Sequence, residues 1–250
     1  MPFTVSHIAA ALPLARRPLV ASALVAGSMA PDIPYFVLLY PGGGEYTHTW
    51  WGVFLVDTPI ALVALAFYRF FLHEPLLALA PATTRAKLAW QPAPRFTAAT
   101  AVSAAIGCVT HFVWDAFTHP GDWGVRLVPL LNAEIGPMPG FAWAQWVSTA
   151  FGALFALLWG LRRLSTLPTH PVPARFAPPR NHTLTVLALL AFTVAFALVT
   201  TTGDTGTDLL VSASITVVSG AVAALALYQA TRYLSRSKTG AGSKLPTPSE

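Results

Sequence analysis

The sequence predicts an all-α protein, a polytopic transmembrane helical bundle of about six spans whose first span is broken. Three observations lead to this fold class. Hydrophobic residues make up 54% of the 250 positions and charged residues only 10%, whereas charged residues make up roughly a quarter of an average soluble domain. Long apolar runs recur along the chain, and the basic residues fall in the segments between them.

Five apolar runs approach the ~20 residues that a helix needs to span a bilayer. They cover residues 51–72, 96–118, 141–161, 183–202 and 209–228. A sixth run at residues 18–40 contains "APDIP", in which Pro31 and Pro34 prevent a regular helix. We therefore expect six spans, with the first one interrupted beside Asp32.

The distribution of charge predicts the orientation. In a six-span arrangement all Lys and Arg residues except Arg126 fall on one side, and acidic residues such as Glu45 and Glu134 fall on the other. Basic loops face the cytoplasm, so we expect a multi-pass protein of the inner cell membrane with a cytoplasmic C-terminus. Its partners would be membrane lipids rather than nucleic acid, because the basic residues mark loops and form no patch.

Composition divides the chain into four parts. We expect a membrane domain with a metal site at residues 1–161 and a proline-rich cytoplasmic linker at residues 162–182. A two-helix membrane scaffold would follow at residues 183–230, because its spans carry few polar residues. The polar segment at residues 231–250 is predicted to be a disordered cytoplasmic tail.

Ionisable residues within the apolar runs are candidates for function, because charged groups are costly at membrane depth. The helical rise of ~1.5 Å per residue puts Asp32 and His111 at similar depth, roughly 21 and 23 Å along their spans. The candidates on the core or outer side are the carboxylates Asp32, Asp57 and Asp115 and the histidines His7, His48, His111 and His119. Several of these groups can converge in the outer half of the membrane.

His7 reaches the same depth only if the chain turns back. On one continuous helix it would lie about 37 Å from Asp32, too far to share a site. A turn at Arg17 and Pro18, between two short antiparallel helices, would return His7 and Asp32 to similar depth. We therefore put forward this hairpin as a hypothesis based on the sequence.

The residue types indicate a metal site. Imidazole and carboxylate groups together suit Zn²⁺ or Mn²⁺, and His111 and Asp115 share one helical face at the i, i+4 spacing. The predicted metal ligands are His7, Asp32, His111 and Asp115, and His48 or His119 would complete the shell or act as a catalytic general base. Two alternatives stay open. His and Asp can pair with each other as a packing device, and Asp57 reads as a supporting partner or a helix-kink acceptor.

Several motifs resemble one bacterial integral-membrane family of unknown function. They are "MPFTVSHIAAALPL", "GSMAPDIPYF", "THTWWG", "FLVDTPIAL" and "HFVWDAFTHPGDW", in this order. The resemblance is close over about residues 1–160 and rests on hydropathy beyond them. It implies a polytopic membrane protein and no assigned activity.

That family is distantly similar to inner-membrane proteins predicted to be metal-dependent hydrolases, and more remotely to zinc-dependent phospholipase C. The shared features are an early His, a "PD", a "TH" and a later "HxxxD", which match His7, Asp32, His48, His111 and Asp115, with His119 as a further candidate. The hydrolase-like pattern "HRxxTHS" is "EYTHTW" here, so no role of its Arg or Ser carries over.

Two classes of function follow. The first is a metal-dependent hydrolase that cleaves a lipid-linked ester or phosphoester, with an amphiphilic substrate arriving from the membrane. The second is a non-catalytic membrane protein, either a metal-binding scaffold or a transporter. A broken span is typical of transporters. Transporters also often contain internal repeats, and this sequence shows none.

Overall fold

The structure is a computed structural model that describes residues 4–39, 44–93, 95–202, 204 and 206–240, apart from the side chains of residues 207–208 and 237–240. Its contacts divide the chain into two units. One comprises Met1–Ala66 with Trp90–Thr169, and the other comprises Phe67–Ala89 with His170–Glu250. The four-part division predicted from composition stays a prediction.

The first unit is almost entirely helical. Its α-helices are α1 (Ile8–Ala11), α2 (Ala21–Met29), α3 (Ile33–Leu38), α4 (Thr58–Phe67), α7 (Ala98–Asp115), α8 (Trp123–Leu127), α9 (Pro129–Asn132) and α10 (Gly140–Thr166). Short 3-10 segments cover Thr4–His7, Leu12–Leu14 and Ala30–Asp32, and a π-helical segment covers Val53–Asp57. The strands β1 (Glu134–Ile135) and β2 (Met138–Pro139) form one small antiparallel hairpin.

The second unit contains the remaining helices. Its elements are a π-helical segment at Tyr68–Leu72, α5 (His73–Leu79), α6 (Ala82–Leu88), a 3-10 turn at Ala174–Phe176, α11 (His182–Thr200) and α12 (Gly206–Gly240). Phe176 is buried against Leu77 and Ala89, and these three side chains form a small apolar cluster. The predicted all-α fold class is confirmed.

Among the described residues, five helices are long and apolar enough to span a membrane. They are Ala21–Leu38, Val53–Leu79, Gly140–Thr166, His182–Thr200 and Leu209–Arg236. The predicted span at residues 96–118 is a helix, α7, but it does not belong to this set. Its 18 residues include the buried polar groups of Thr100, Ser103, His111 and Asp115, which lower its apolar character. The same residues face the protein interior and make α7 the helix that carries the site.

The first span is broken where the prolines predict it. The α-helical hydrogen bonds of α2 end at Met29, a 3-10 turn covers Ala30–Asp32, and α3 starts again at Ile33. Proline has no N–H group and is tolerated only in the first turn of a helix. Pro31 and Pro34 each occupy such a position, so the break turns the Asp32 side chain into the core.

The predicted N-terminal hairpin is confirmed. The helical segment Thr4–Leu14 precedes a turn at Arg17 and Pro18, and α2 then runs back beside α1. The Thr4 hydroxyl donates a hydrogen bond of 2.6 Å to Asp32 Oδ2. The hairpin therefore brings the beginning of the chain to the break in the first span.

Helices α2 and α7 of the first unit pack closely because glycines face their backbones. A Cβ atom at Gly107 of α7 would collide with the Leu24 carbonyl of α2, and one at Gly27 would collide with the Ala104 carbonyl. Small residues let helices in a membrane approach closely. This approach places His111 of α7 beside the last turn of α2.

Helix α12 extends beyond the predicted scaffold. The sequence predicts a disordered tail from residue 231, but the helix continues to Gly240. Its final turns are held within the second unit, because Arg236 donates to Glu74 at 2.9 Å and both Arg232 and Arg236 donate to the Arg175 carbonyl at 2.8 Å. The rest of the predicted tail, residues 241–250, lies outside the described residues.

Candidate metal centre

Three separate elements of the first unit bring a His/Asp cluster together. Asp32 ends the 3-10 turn that breaks the first span, His48 lies in the turns before the second span, and His111 and Asp115 lie one turn apart on α7. Asp32 and His111 are fully buried, and Asp115 is 3% exposed. The cluster is therefore an internal site, and its polar side chains come from elements that are far apart in sequence.

The inward atoms of these four residues lie close to one another. His111 Nε2 is 3.1 Å from Asp115 Oδ2 and 3.6 Å from Asp32 Oδ1. His48 Nε2 is 3.4 Å from the same Asp115 oxygen and 3.5 Å from the same Asp32 oxygen. All four ligand atoms lie within 4.8 Å of one another, so the group could hold a metal ion.

Hydrogen bonds on the far sides of the two imidazoles fix which nitrogen faces the cluster. His111 Nδ1 lies 2.8 Å from the Ser28 carbonyl, and a carbonyl oxygen only accepts, so Nδ1 carries the proton. His48 Nδ1 faces the Gly44 carbonyl at 3.3 Å and the Thr47 hydroxyl at 3.0 Å. That hydroxyl donates its own proton to the Pro31 carbonyl at 2.8 Å, so it accepts from His48.

In the neutral state both Nε2 atoms then present lone pairs to carboxylate oxygens. Neither Nε2 atom has a hydrogen-bond partner among the described residues, and the same holds for Asp32 Oδ1 and both oxygens of Asp115. Acceptor atoms buried against each other are unfavourable unless a cation lies between them. The cation is either a proton on an imidazole or a metal ion.

The electrostatics of His48 agree with this requirement for positive charge. Burial lowers the pKa of this imidazole, but Asp115 and Asp32 outweigh burial and raise the pKa to about 10. Two carboxylates therefore make the cluster attractive to cations. A metal ion would have to displace the proton that they favour on His48.

The spacing of the four atoms fits a metal ion. With metal–ligand distances of about 2.0–2.1 Å, the edge of a tetrahedral zinc site is about 3.3 Å. The four nitrogen–oxygen distances between the imidazoles and the carboxylates, 3.1–3.6 Å, lie around this value. Two imidazoles and two carboxylates are a donor set that suits Zn²⁺ and Mn²⁺.

The other two candidate histidines lie beside the second carboxylate oxygen of Asp115, Oδ1. His7 Nε2 is 3.4 Å from Asp115 Oδ1, and the ring stacks on that of His111 with 3.8 Å between centroids. His119 Nδ1 is 3.8 Å from the same oxygen and 3.1 Å from the Asp115 carbonyl. The structure thus places both beside the cluster, and His48, which the sequence predicts to complete the shell or act as a base, is one of the four residues that could hold the metal.

Asp57 and two polar residues of α10 stay outside the cluster. Asp57 is fully buried in the π-helical segment, and its carboxylate has no hydrogen-bond partner among the described residues. Thr58 does not donate to it, because the Thr58 hydroxyl donates to the Val53 carbonyl. Ser148 donates to the backbone carbonyl of Gln145 at 3.1 Å.

Sequence reasoning missed the residues that hold the ligands in place. Thr4 occupies Asp32 Oδ2, Thr47 joins the His48 loop to the broken span, and the Ser28 carbonyl orients His111. Such outer partners fix the tautomer and direction of metal ligands. A signal was present for the threonines, since Thr47 directly precedes His48 and Thr4 lies three residues before His7 in the quoted motifs; a backbone carbonyl gives none.

Fold and cluster together define an all-α protein that has helices long and apolar enough to span a membrane and a buried His/Asp group that could bind a metal ion. The chain belongs to the family DUF4184, a domain of unknown function, whose model matches residues 1–230. The predicted membership of a family of unknown function is confirmed. No curated protein and no solved structure matches the chain.

Proposed function

We propose that this protein is a membrane-embedded hydrolase that cleaves lipid-linked esters or phosphoesters with a bound metal ion. The observation that carries the proposal is the set of inward atoms on Asp32, His48, His111 and Asp115, which are buried, close together and without hydrogen-bond donors. The resemblance to predicted metal-dependent hydrolases points to the same class.

Four residues would hold the metal, namely Asp32, His48, His111 and Asp115. When bound, zinc or manganese polarises a carbonyl or phosphoryl oxygen and lowers the pKa of water. The protein supplies the rest by keeping the ligands rigid through Thr4 and the Ser28 carbonyl. Rigid ligands preserve the geometry in which the reacting groups meet.

His119 is our candidate for proton transfer. Its Nδ1 faces the Asp115 carbonyl at 3.1 Å, and the carbonyl only accepts, so the neutral ring keeps a lone pair on Nε2. The side chain is 24% exposed, whereas that of His7 is fully buried. A partly exposed imidazole at the edge of the cluster is therefore the candidate general base.

The position of the cluster favours an amphiphilic substrate and an outward-facing site. In the six-span arrangement His48 lies in the loop between the first two spans, and the basic residues that predict the cytoplasmic side fall on the opposite side. A cysteine at Glu45 should react with a membrane-impermeant maleimide added to intact cells, with little background from the buried Cys108. Labelling only after the cells are opened would reverse the proposed orientation.

Turnover by the purified protein tests the hydrolase. Short chromogenic esters and phosphodiesters in micelles should be cleaved by the metal-loaded protein, lose cleavage on chelation and regain it with zinc or manganese. Asp115→Asn should abolish cleavage, while Asp122→Asn, which lies outside the cluster, should retain it. Cleavage that survives chelation, or a fully active Asp115→Asn variant, would show that the cluster is not the catalytic site.

The second candidate is a metal transporter. The observation that favours it is the break at Ala30–Asp32, because transporters bind ions where a spanning helix is interrupted. Metal uptake into proteoliposomes separates the two functions. Uptake that Asp32→Asn removes, without turnover of any ester, would select the transporter.

A further inference from the structure

An apolar groove lies beside the cluster in the first unit. Its volume is about 500 Å³, and α1, α7 and α10 each contribute to its walls. The apolar side chains include Ala10, Val109, Val113, Phe117 and Ala144. This size falls within the ~300–1,000 Å³ of typical ligand pockets.

The hydroxyl groups in the wall of the groove donate their hydrogen bonds to backbone carbonyls, not into the groove. Each of the three hydroxyl groups is already used by the backbone: Thr110 donates to the Gly107 carbonyl at 2.7 Å, Ser148 to that of Gln145 at 3.1 Å, and Thr118 to that of Asp115 at 3.3 Å. A ligand therefore meets hydrocarbon surface along the groove. Such a surface gains free energy by binding an apolar chain and offers little to a polar molecule.

The groove shares two residues with the surroundings of the cluster. Trp114, in its wall, meets the His7 ring edge-on with 6.3 Å between centroids. Thr118, also in the wall, bonds to the Asp115 carbonyl and lies 3.4 Å from His119 Nδ1. One end of the groove thus reaches the side of Asp115 on which His7 and His119 lie.

We propose that this groove holds the hydrocarbon chain of a single-chain or multi-chain lipid and so presents its head group to the cluster. The proposal rests on the proposed function in naming that lipid as substrate, and it assigns the chain-binding residues of the same site. Helix α10 is a candidate membrane span with exposed apolar side chains such as Phe151 and Leu157. A lipid can therefore enter the groove sideways without leaving the hydrocarbon layer.

Chain binding can be measured without any catalysis. Detergent-purified protein is incubated with an equimolar phospholipid that carries a photoreactive diazirine near the end of one acyl chain, and the cross-linked peptides are identified by mass spectrometry. We expect labelling at residues 109–118 and 144–148. Ala144→Trp fills the groove and should remove this labelling, whereas Ala150→Trp, on the exposed face of the same helix, should leave it unchanged.

The contrary results are equally definite. Labelling spread over the exposed surfaces of α10 and α11, or unaffected by Ala144→Trp, would overturn the groove as a chain site. Equal loss in Ala144→Trp and Ala150→Trp would also overturn it. The metal content of each variant, measured in parallel, reports on the hydrolase separately, because a metal-free protein can still bind the lipid and a metal-loaded one can still fail to.

Discussion

The hydrogen bond from Thr4 to Asp32 offers a direct test of how the cluster is held. Thr4 is 8% exposed, and its hydroxyl group donates a hydrogen bond of 2.6 Å to Asp32 Oδ2. Thr4→Val keeps the shape of the side chain and removes the donor. Asp32 then keeps the charge it needs to bind a metal but loses the group that orients it.

The expected effect on metal affinity can be worked out in two ways. Hydrogen bonds to charged groups contribute about 1.5–3 kcal/mol. Loss of an outer partner of a metal ligand weakens metal binding by about 10–100-fold, which corresponds to about 1.4–2.7 kcal/mol. The two ranges agree, so we predict that Thr4→Val binds zinc about 10–100-fold more weakly than the wild type.

The assay is a zinc titration of detergent-purified protein in competition with a chelator of known affinity. Thr193→Val is the matched control, because Thr193 is also buried but donates only to the Leu189 carbonyl of its own helix. The control should bind zinc as the wild type does. Wild-type affinity in a folded Thr4→Val protein, or an equal loss in both variants, would refute the reasoning.

Three further predictions concern the ligands and the packing around them. Elemental analysis should find that His48→Ala loses the metal and that His7→Phe retains it, because only His48 supplies one of the four inward atoms. The opposite pattern would show that His7 is the ligand. Gly107→Val should lower the free energy of unfolding by about 1–3 kcal/mol. Gly160→Val should not, because the space beside Gly160 is open. Equal denaturation midpoints for the two variants would contradict the close approach of α2 and α7. Zinc at about 100 times its Kd should stabilise the protein by about 2.7 kcal/mol, and an unchanged melting temperature would count against binding.

The sequence predicted the fold class because the signals for membrane helices are local. Runs of about 20 apolar residues and the prolines at 31 and 34 need no knowledge of the rest of the chain. The exception is α7. Its buried polar face, including His111 and Asp115, makes it less apolar than the five candidate membrane spans, so hydropathy separates it from them although its length suffices.

The candidate site could be predicted only in part. Residue type and depth singled out His7 and His48 together, but which one reaches the inner atoms depends on the hairpin at Arg17 and on the turns before Val53. Side-chain direction follows from packing between distant elements, as the Ser28 carbonyl shows for His111. Such partners have no signature in the sequence, because every residue has a carbonyl group.

The central claim, that the His/Asp cluster binds a metal, is tested most directly by elemental mass spectrometry on purified protein after incubation with zinc or manganese and removal of excess ion. The wild type is compared with an Asp32→Ala, His111→Ala double variant and with an Asp122→Ala, His170→Ala control that carries the same substitutions outside the cluster. We predict about one equivalent of metal in the wild type and the control, and none in a folded cluster variant. Equal metal content in all three proteins, or no metal in the wild type, would contradict the account.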